Sequence, residues 1–203
     1  MMWFRIDKGA TQAPATGTYK NWKPELRKEG RRQCVYCAIG ESLFGGERNF
    51  HVEHYRPKSR FSDLTNSFPN LFYCCAICNS FKGSDWPSDP TTDLSNSSYP
   101  DPSAIDYADF LSVNGAGIVS SSTNSGKYVV ERLNLNRAQL QMIRRFIALR
   151  DEIRTLTEEV EHAASVCEDV AAMREGITCL KEAVCLLDSF TKAAPYEPED
   201  VRR

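Results

Sequence analysis

No run of about 18 or more apolar residues occurs in the 203-residue chain, so nothing in it reads as a membrane-spanning helix. The N-terminus, MMWFRIDKGATQ, lacks the apolar core of roughly 7–15 residues that marks an export signal. The expected setting is therefore cytoplasmic and reducing. A strong charge of one sign is missing too: the net charge of −2 excludes a general nucleic-acid coat. No internal repeat appears. Histidine is scarce, with only three in the chain, yet two of them stand at 51 and 54. Cysteine is not scarce. There are eight, and in a reducing setting they more often bind metal or fill a core than form disulfides.

With 41% hydrophobic and 26% charged residues, the chain fits one soluble domain with elaborations, or two small domains. Residues 1–90 hold 13 Lys+Arg against 9 Asp+Glu, a net +4, and the remainder holds 12 against 18, a net −6. A polyanion would therefore meet the front half. Residues 1–33 form a basic lead-in, with a short strand expected at Trp3–Ile6 and a helix from Trp22 to Arg32. Pro24 suits that helix's first turn. Residues 34–83 hold five of the cysteines and two of the histidines. Residues 84–135 read as a loop-rich linker. Its first part, 84–108, is expected to be a surface connection rich in Ser, Asp, Pro and Asn. A hairpin is expected around Asn114-Gly115, and a strand at Lys127–Leu133. From Asn136, read as an N-cap, residues 136–203 form a helical region. There Leu140, Ile143 and Ile147, and then Phe146, Leu149, Ile153, Leu156 and Val160, recur at helical spacing. A last amphipathic helix is expected over Met173–Phe190, with Leu180, Val184 and Leu187 on one face. Cys167, Cys179 and Cys185 lack metal-ligand spacing and read as small core residues.

Cys34-Val35-Tyr36-Cys37 and Cys75-Ala76-Ile77-Cys78 are two C-x-x-C pairs, a common ligand set for a tetrahedral structural zinc ion. The alternative is four buried free thiols. A redox pair fits less well, because neither pair sits in a βαβ pattern. Cys74 adjoins the second pair and could replace Cys75. The pairs enclose Phe50-His51-Val52-Glu53-His54-Tyr55-Arg56-Pro57-Lys58-Ser59-Arg60. In a strand, His51 and Glu53 would share a face, with His54 at the end. A carboxylate there can hold a hard divalent cation, and an imidazole with an ordinary pKa near 6.5 can take a proton from water. Arg56, Lys58 and Arg60, and further on Lys82, supply positive charge suited to phosphate.

The string His-Val-Glu-His-x-x-Pro, then Asn70-Leu71, then Cys75-x-x-Cys78-Asn79-x-x-Lys82-Gly83, framed by Cys34 and Cys37, resembles the HNH nucleases. The match covers Cys34 to Gly83, about a quarter of the chain. It implies an α+β protein: a zinc-stabilised ββα-metal (treble-clef-like) core with a small β-hairpin elaboration and a C-terminal helical region. It also implies roles. His54 would be the general base, and Glu53 and Asn79 would hold a catalytic Mg²⁺ or Mn²⁺. Asn70 would hydrogen-bond backbone and keep the loop that follows His54 in register. Cys34, Cys37, Cys75 and Cys78 would hold structural Zn²⁺, and Arg56, Lys58 and Lys82 would contact phosphate. The chain departs from the pattern in two ways: Gly83 stands where some members have a further His, and Glu53 where Asp or His is common. His51 is either a further ligand, a partner of a ligand, or packing. The implied activity is endonucleolytic cleavage of double-stranded DNA, leaving 5′-phosphate and 3′-hydroxyl ends.

The flanks add Ile6-Asp7-Lys8-Gly9, Trp22, Glu53-His54-Tyr55-Arg56-Pro57-Lys58 and Leu133-Asn134-Leu135-Asn136. These are similar to the HNH proteins of Septu and certain retron anti-phage systems, which implies defence alongside an ATPase partner and no membrane. The competing expectations are a non-catalytic, zinc-stabilised nucleic-acid-binding module and a restriction-type HNH nuclease that works without an ATPase.

Overall fold

Phe50 and Val52 in β1 (Phe50–His54) and Phe72 and Tyr73 in β2 (Leu71–Cys75) favour strands, and the two strands pair antiparallel with His54 opposite Leu71 and Phe50 opposite Cys75. This is the centre of the computed structural model of the protein, which describes residues 3–9, 13–165 and 171–192. Every residue of β2 is buried. Phe50 stacks on Tyr73 with ring centroids 4.8 Å apart, a contact worth about 0.5–1.5 kcal/mol beyond simple burial. The chain passes from β2 straight into α2 (Ala76–Lys82). The Cys75 sulfur accepts the N–H of Cys78 at the helix start, and Gly83 at φ +52° ends it. A residue with a Cβ would be strained at that φ.

α1 (Lys23–Glu29) has Pro24 in its first turn and buries Leu26. It stops earlier than Arg32, because Arg31 and Arg32 take positive φ (49° and 59°), which no helix can continue. Trp3–Ile6 is buried at both ends but is not a strand. The Trp3 indole donates to Tyr36 O and the Ile6 N–H to Pro102 O, so these groups are satisfied without a ladder.

Residues 84–108 do not run over the surface as expected. Trp86, Leu94, Tyr99 and Tyr107 are buried. Each Tyr hydroxyl in this group finds an acceptor, Tyr99 at Asp85 Oδ2 (2.7 Å) and Tyr107 at Pro100 O (2.9 Å). A polar composition hides such residues, because their rings pack while their tips stay hydrogen-bonded. The expected hairpin forms as β3 (Ser112–Val113) and β4 (Val119–Ser120).

Lys127–Leu133, read from sequence as a strand, is helical in α3 (Asn124–Arg132). Thr123 Oγ1 caps the helix by accepting the Gly126 N–H at 3.0 Å. Ser125, Val129 and Leu133 then fall on one buried face at four-residue spacing. A short apolar run cannot reveal this, because its length suits either structure. Gly126 lies against Ser121, whose Cβ would come within 2.5 Å of an added methyl group. Gly126→Ala is expected to destabilise the protein by about 1–3 kcal/mol through overpacking, read as a lower urea midpoint. An unchanged midpoint would mean that Ser121 moves aside freely.

Asn136 does not cap the long helix. Its Oδ1 accepts the Val119 N–H (2.7 Å) and its Nδ2 donates to Val119 O (2.8 Å), which ties β4 to the lead into α4 (Ala138–Ser165). Of the helically spaced apolar residues, Leu140, Ile143 and Ile147 are buried, whereas Leu149 and Leu156 are exposed. Only the first half of α4 therefore packs on the core. α5 (Ala171–Lys192) packs along α4, with Ile177 buried and Leu180 exposed. Cys179 and Cys185 are exposed rather than core residues. Cys167 lies outside the described residues, and Leu187 belongs to a stretch whose side chains are not described. The described architecture is mixed α and β, with two small antiparallel sheets.

Candidate active site and metal centre

The first C-x-x-C pair sits in a tight loop. Its Ala38 N–H donates to Cys34 O and its Cys34 N–H to Ile39 O, while Val35 N–H joins it to Tyr73 O in β2. β2 delivers Cys75 and α2 delivers Cys78. The four sulfurs of Cys34, Cys37, Cys75 and Cys78 lie within 4.8 Å of one another and are all buried. A tetrahedron with metal–sulfur bonds of about 2.3 Å has edges of about 3.8 Å, and the Cys37–Cys75 edge is 3.8 Å. The set could hold a metal ion such as zinc. Cys74 is buried beside it, 3.7 Å from Cys34 Sγ, but is not one of the four.

Burial pushes Cys37 well above the ordinary thiol range, whereas hydrogen bonds from the neighbouring thiols hold Cys75 far below it. For Cys34 burial pushes upward, but hydrogen bonds from Cys37, Cys74 and Cys78 bring it down to about 5. Metal binds thiolate rather than thiol, and Cys34 and Cys75 are the two that the clustering favours in that form.

Beside this centre, a cleft of about 320 Å³ is bordered by Tyr19, Glu53, His54, Lys58 and Asn79, among others. His54 ends β1, half-buried, with its Nε2 3.1 Å from Thr65 O. A carbonyl can only accept, so Nε2 carries the proton and Nδ1 is left as the acceptor. Burial pushes the imidazole pKa below its ordinary value, and nearby Lys58 and Lys82 push the same way against the Thr65 carbonyl. The ring is therefore mostly neutral at neutral pH. Asn70 fixes the loop that carries Thr65: its Oδ1 accepts Arg56 N–H (2.8 Å) and its Nδ2 donates to Arg56 O (3.1 Å) and Leu64 O (3.3 Å). The side-chain amide of Asn79, one residue after Cys78, bonds to no described residue and borders the cleft.

Glu53 borders the cleft but is only 2% exposed. Its Oε1 lies 2.6 Å from Lys82 Nζ and accepts the Tyr36 hydroxyl at 3.2 Å. Burial pushes the carboxyl up, while Lys82 and Tyr36 pull it back. Lys82 is fully buried, also donates to His54 O (3.0 Å), and cannot serve as a phosphate contact. Arg56 is likewise diverted: it pairs with Asp89 at 3.1 Å, lies over the Phe61 and Trp86 rings, and is not part of the cleft. Arg60 donates to Trp86 O, so of the four basic residues expected at phosphate, Lys58 alone borders the cleft. It is exposed, with its Nζ donating to the Tyr19 hydroxyl at 3.2 Å. His51 is exposed on β1 and does not border the cleft.

Removing one member of the buried Glu53–Lys82 pair strands the other. Lys82→Ala is expected to cost about 3–5 kcal/mol. Glu53→Gln combined with Lys82→Met should recover much of that loss in urea unfolding. A double variant as unstable as the single one would show that Lys82 contributes by packing rather than charge.

Sequence reasoning missed three participants. Tyr19, whose ring meets His54 edge-on at 4.7 Å between centroids, belongs to no motif and comes from the lead-in. Thr65 acts through its carbonyl, which any residue carries. Arg137, treated below, follows the quoted Leu133–Asn136 string and could have been flagged as a cation at the start of a helix. Neither a family model nor a curated protein matches the chain.

Proposed function

We propose that the protein is a metal-dependent endonuclease of the HNH, ββα-metal type, with zinc held by Cys34, Cys37, Cys75 and Cys78. One observation carries this reading. His54, with one nitrogen held and the other free, shares a cleft with an unpartnered Asn79 amide and the Glu53 carboxylate, on a strand–strand–helix run anchored by the four cysteines.

In this reading a water enters the cleft and gives its proton to His54 Nδ1. Its oxygen bonds to phosphorus, and the bond from phosphorus to the 3′ oxygen breaks. That oxygen takes a proton from solvent, leaving 5′-phosphate and 3′-hydroxyl ends. Thr65 O stabilises the imidazolium that forms, since it already accepts from Nε2. Asn70 keeps this carbonyl in place, and Lys58, backed by Tyr19, offers charge to a phosphate oxygen. A Mg²⁺ or Mn²⁺ ion, held by Asn79 and the Glu53 oxygen that Lys82 and Tyr36 leave free, would supply charge against the developing phosphorane.

Double-stranded DNA is the substrate class, since the basic half of the chain carries the cleft. The resemblance of the flanks to Septu and retron HNH proteins extends the proposal to anti-phage defence with an ATPase partner. The closure of one Glu53 oxygen by Lys82 and Tyr36 favours a second reading, a zinc-stabilised nucleic-acid-binding module without chemistry. Plasmid nicking with Mg²⁺ or Mn²⁺ separates the two. Cleavage supports the nuclease. Retardation of DNA without cleavage of DNA or RNA, with or without a neighbouring ATPase, supports the binding module.

A further inference from the structure

Four thiolates around a divalent ion carry a net charge of −2, and burying such a centre calls for compensating positive charge. The chain supplies it from a distant segment. Arg137 Nη2 lies 3.6 Å from Cys37 Sγ, 3.8 Å from Cys78 Sγ and 4.0 Å from Cys75 Sγ, and its Nη1 lies 3.8 Å from Cys78 Sγ. Its other contacts are the carbonyls of Leu133 and Asn134, and among the described residues no carboxylate pairs with it. The Nε is buried without a partner. A guanidinium half-buried against neutral thiols would be costly, whereas against a tetrathiolate centre its charge is matched.

We propose that Arg137 is the counter-charge of the four-cysteine metal centre, so that metal occupancy fastens the Leu133–Leu140 junction and the start of α4 to the core. This rests on the metal reading of the cysteines but is independent of any nuclease activity. The device makes the helical region responsive to metal: when the ion leaves, the sulfurs are no longer drawn together under Arg137 and the junction loosens. The buried Leu140, Ile143 and Ile147 still hold the helix loosely in place.

The test uses the full chain and zinc as the probe. Arg137→Met, which keeps length and loses charge, is expected to weaken zinc binding about 10–100-fold in competition with a chromophoric chelator. Arg137→Lys should lose less. In wild type, amide exchange over 133–140 should accelerate on zinc removal more than exchange in α5. Unchanged zinc affinity in folded Arg137→Met overturns the proposal, as does wild-type exchange at 133–140 that ignores zinc. That second measurement decides the matter if Arg137→Met does not fold. Wild type that binds no zinc overturns the metal reading itself, and this proposal with it.

Discussion

Cys78→Ser is expected to empty the four-cysteine centre and to lower stability by more than about 4 kcal/mol, because loss of a structural metal belongs to the short list of large effects. At about 2–4 °C per kcal/mol for a chain of this size, the melting temperature should drop by at least about 8 °C. The physical reason is where the sulfurs come from. Cys34 and Cys37 lie in one loop, Cys75 closes β2 and Cys78 opens α2, so one ion joins three pieces of chain. Without it, four buried polar sulfurs and the Arg137 guanidinium face one another with no cation at their centre. The serine variants of Cys179 and Cys185, both exposed, should stay within about 0.5 kcal/mol of wild type. Cys74→Ser settles the choice between neighbours: the metal should remain, since Cys74 is not one of the four clustered sulfurs. Full zinc content in a well-folded Cys78→Ser protein would rule out the assigned ligand set.

His54→Ala is expected to reduce plasmid nicking by about 10²–10⁴-fold while leaving the fold intact. The ring is only half-buried and its one protein hydrogen bond, to Thr65 O, can pass to water, so the circular dichroism spectrum should not change. The pH profile carries the sign of the environment. Burial lowers the His54 pKa, so the neutral, working form persists below pH 6.5, and activity should fall only as pH drops through the lowered value. A bound divalent cation in the cleft would push the same way. A variant that cuts as fast as wild type removes His54 from the chemistry, and an activity limb centred well above pH 6.5 would contradict the local electrostatics.

How far each part could be read from residues follows from the range of the interactions involved. The C-x-x-C pairs, the run of strand-formers before Pro57, the Asn-Gly hairpin and the Gly83 stop all act within a few residues, and each is where local chemistry placed it. The Asn70 bridge to Arg56 spans 14 residues, and it is the resemblance rather than local chemistry that points to it. Lys127–Leu133 reads as a strand because Val129 and Val130 favour strands locally, while the Thr123 cap and the Ser121–Gly126 contact that select a helix lie before the run.

By itself, then, the sequence marked two cysteine pairs that could hold a metal, with Cys74 still able to replace Cys75, the strand–strand–helix run that brings the pairs together, and the presence of His54, Glu53 and Asn79 within it. Only the tertiary structure decided which of the charged neighbours are available. Lys82 and Lys58 look equivalent in sequence, yet one is sealed against Glu53 and the other borders the cleft. Arg137, 59 residues from Cys78, reaches its sulfur because α4 is anchored over the core. Charges in a chain are equal until folding sets their distances and removes their water, and those two quantities fix what a charge can do.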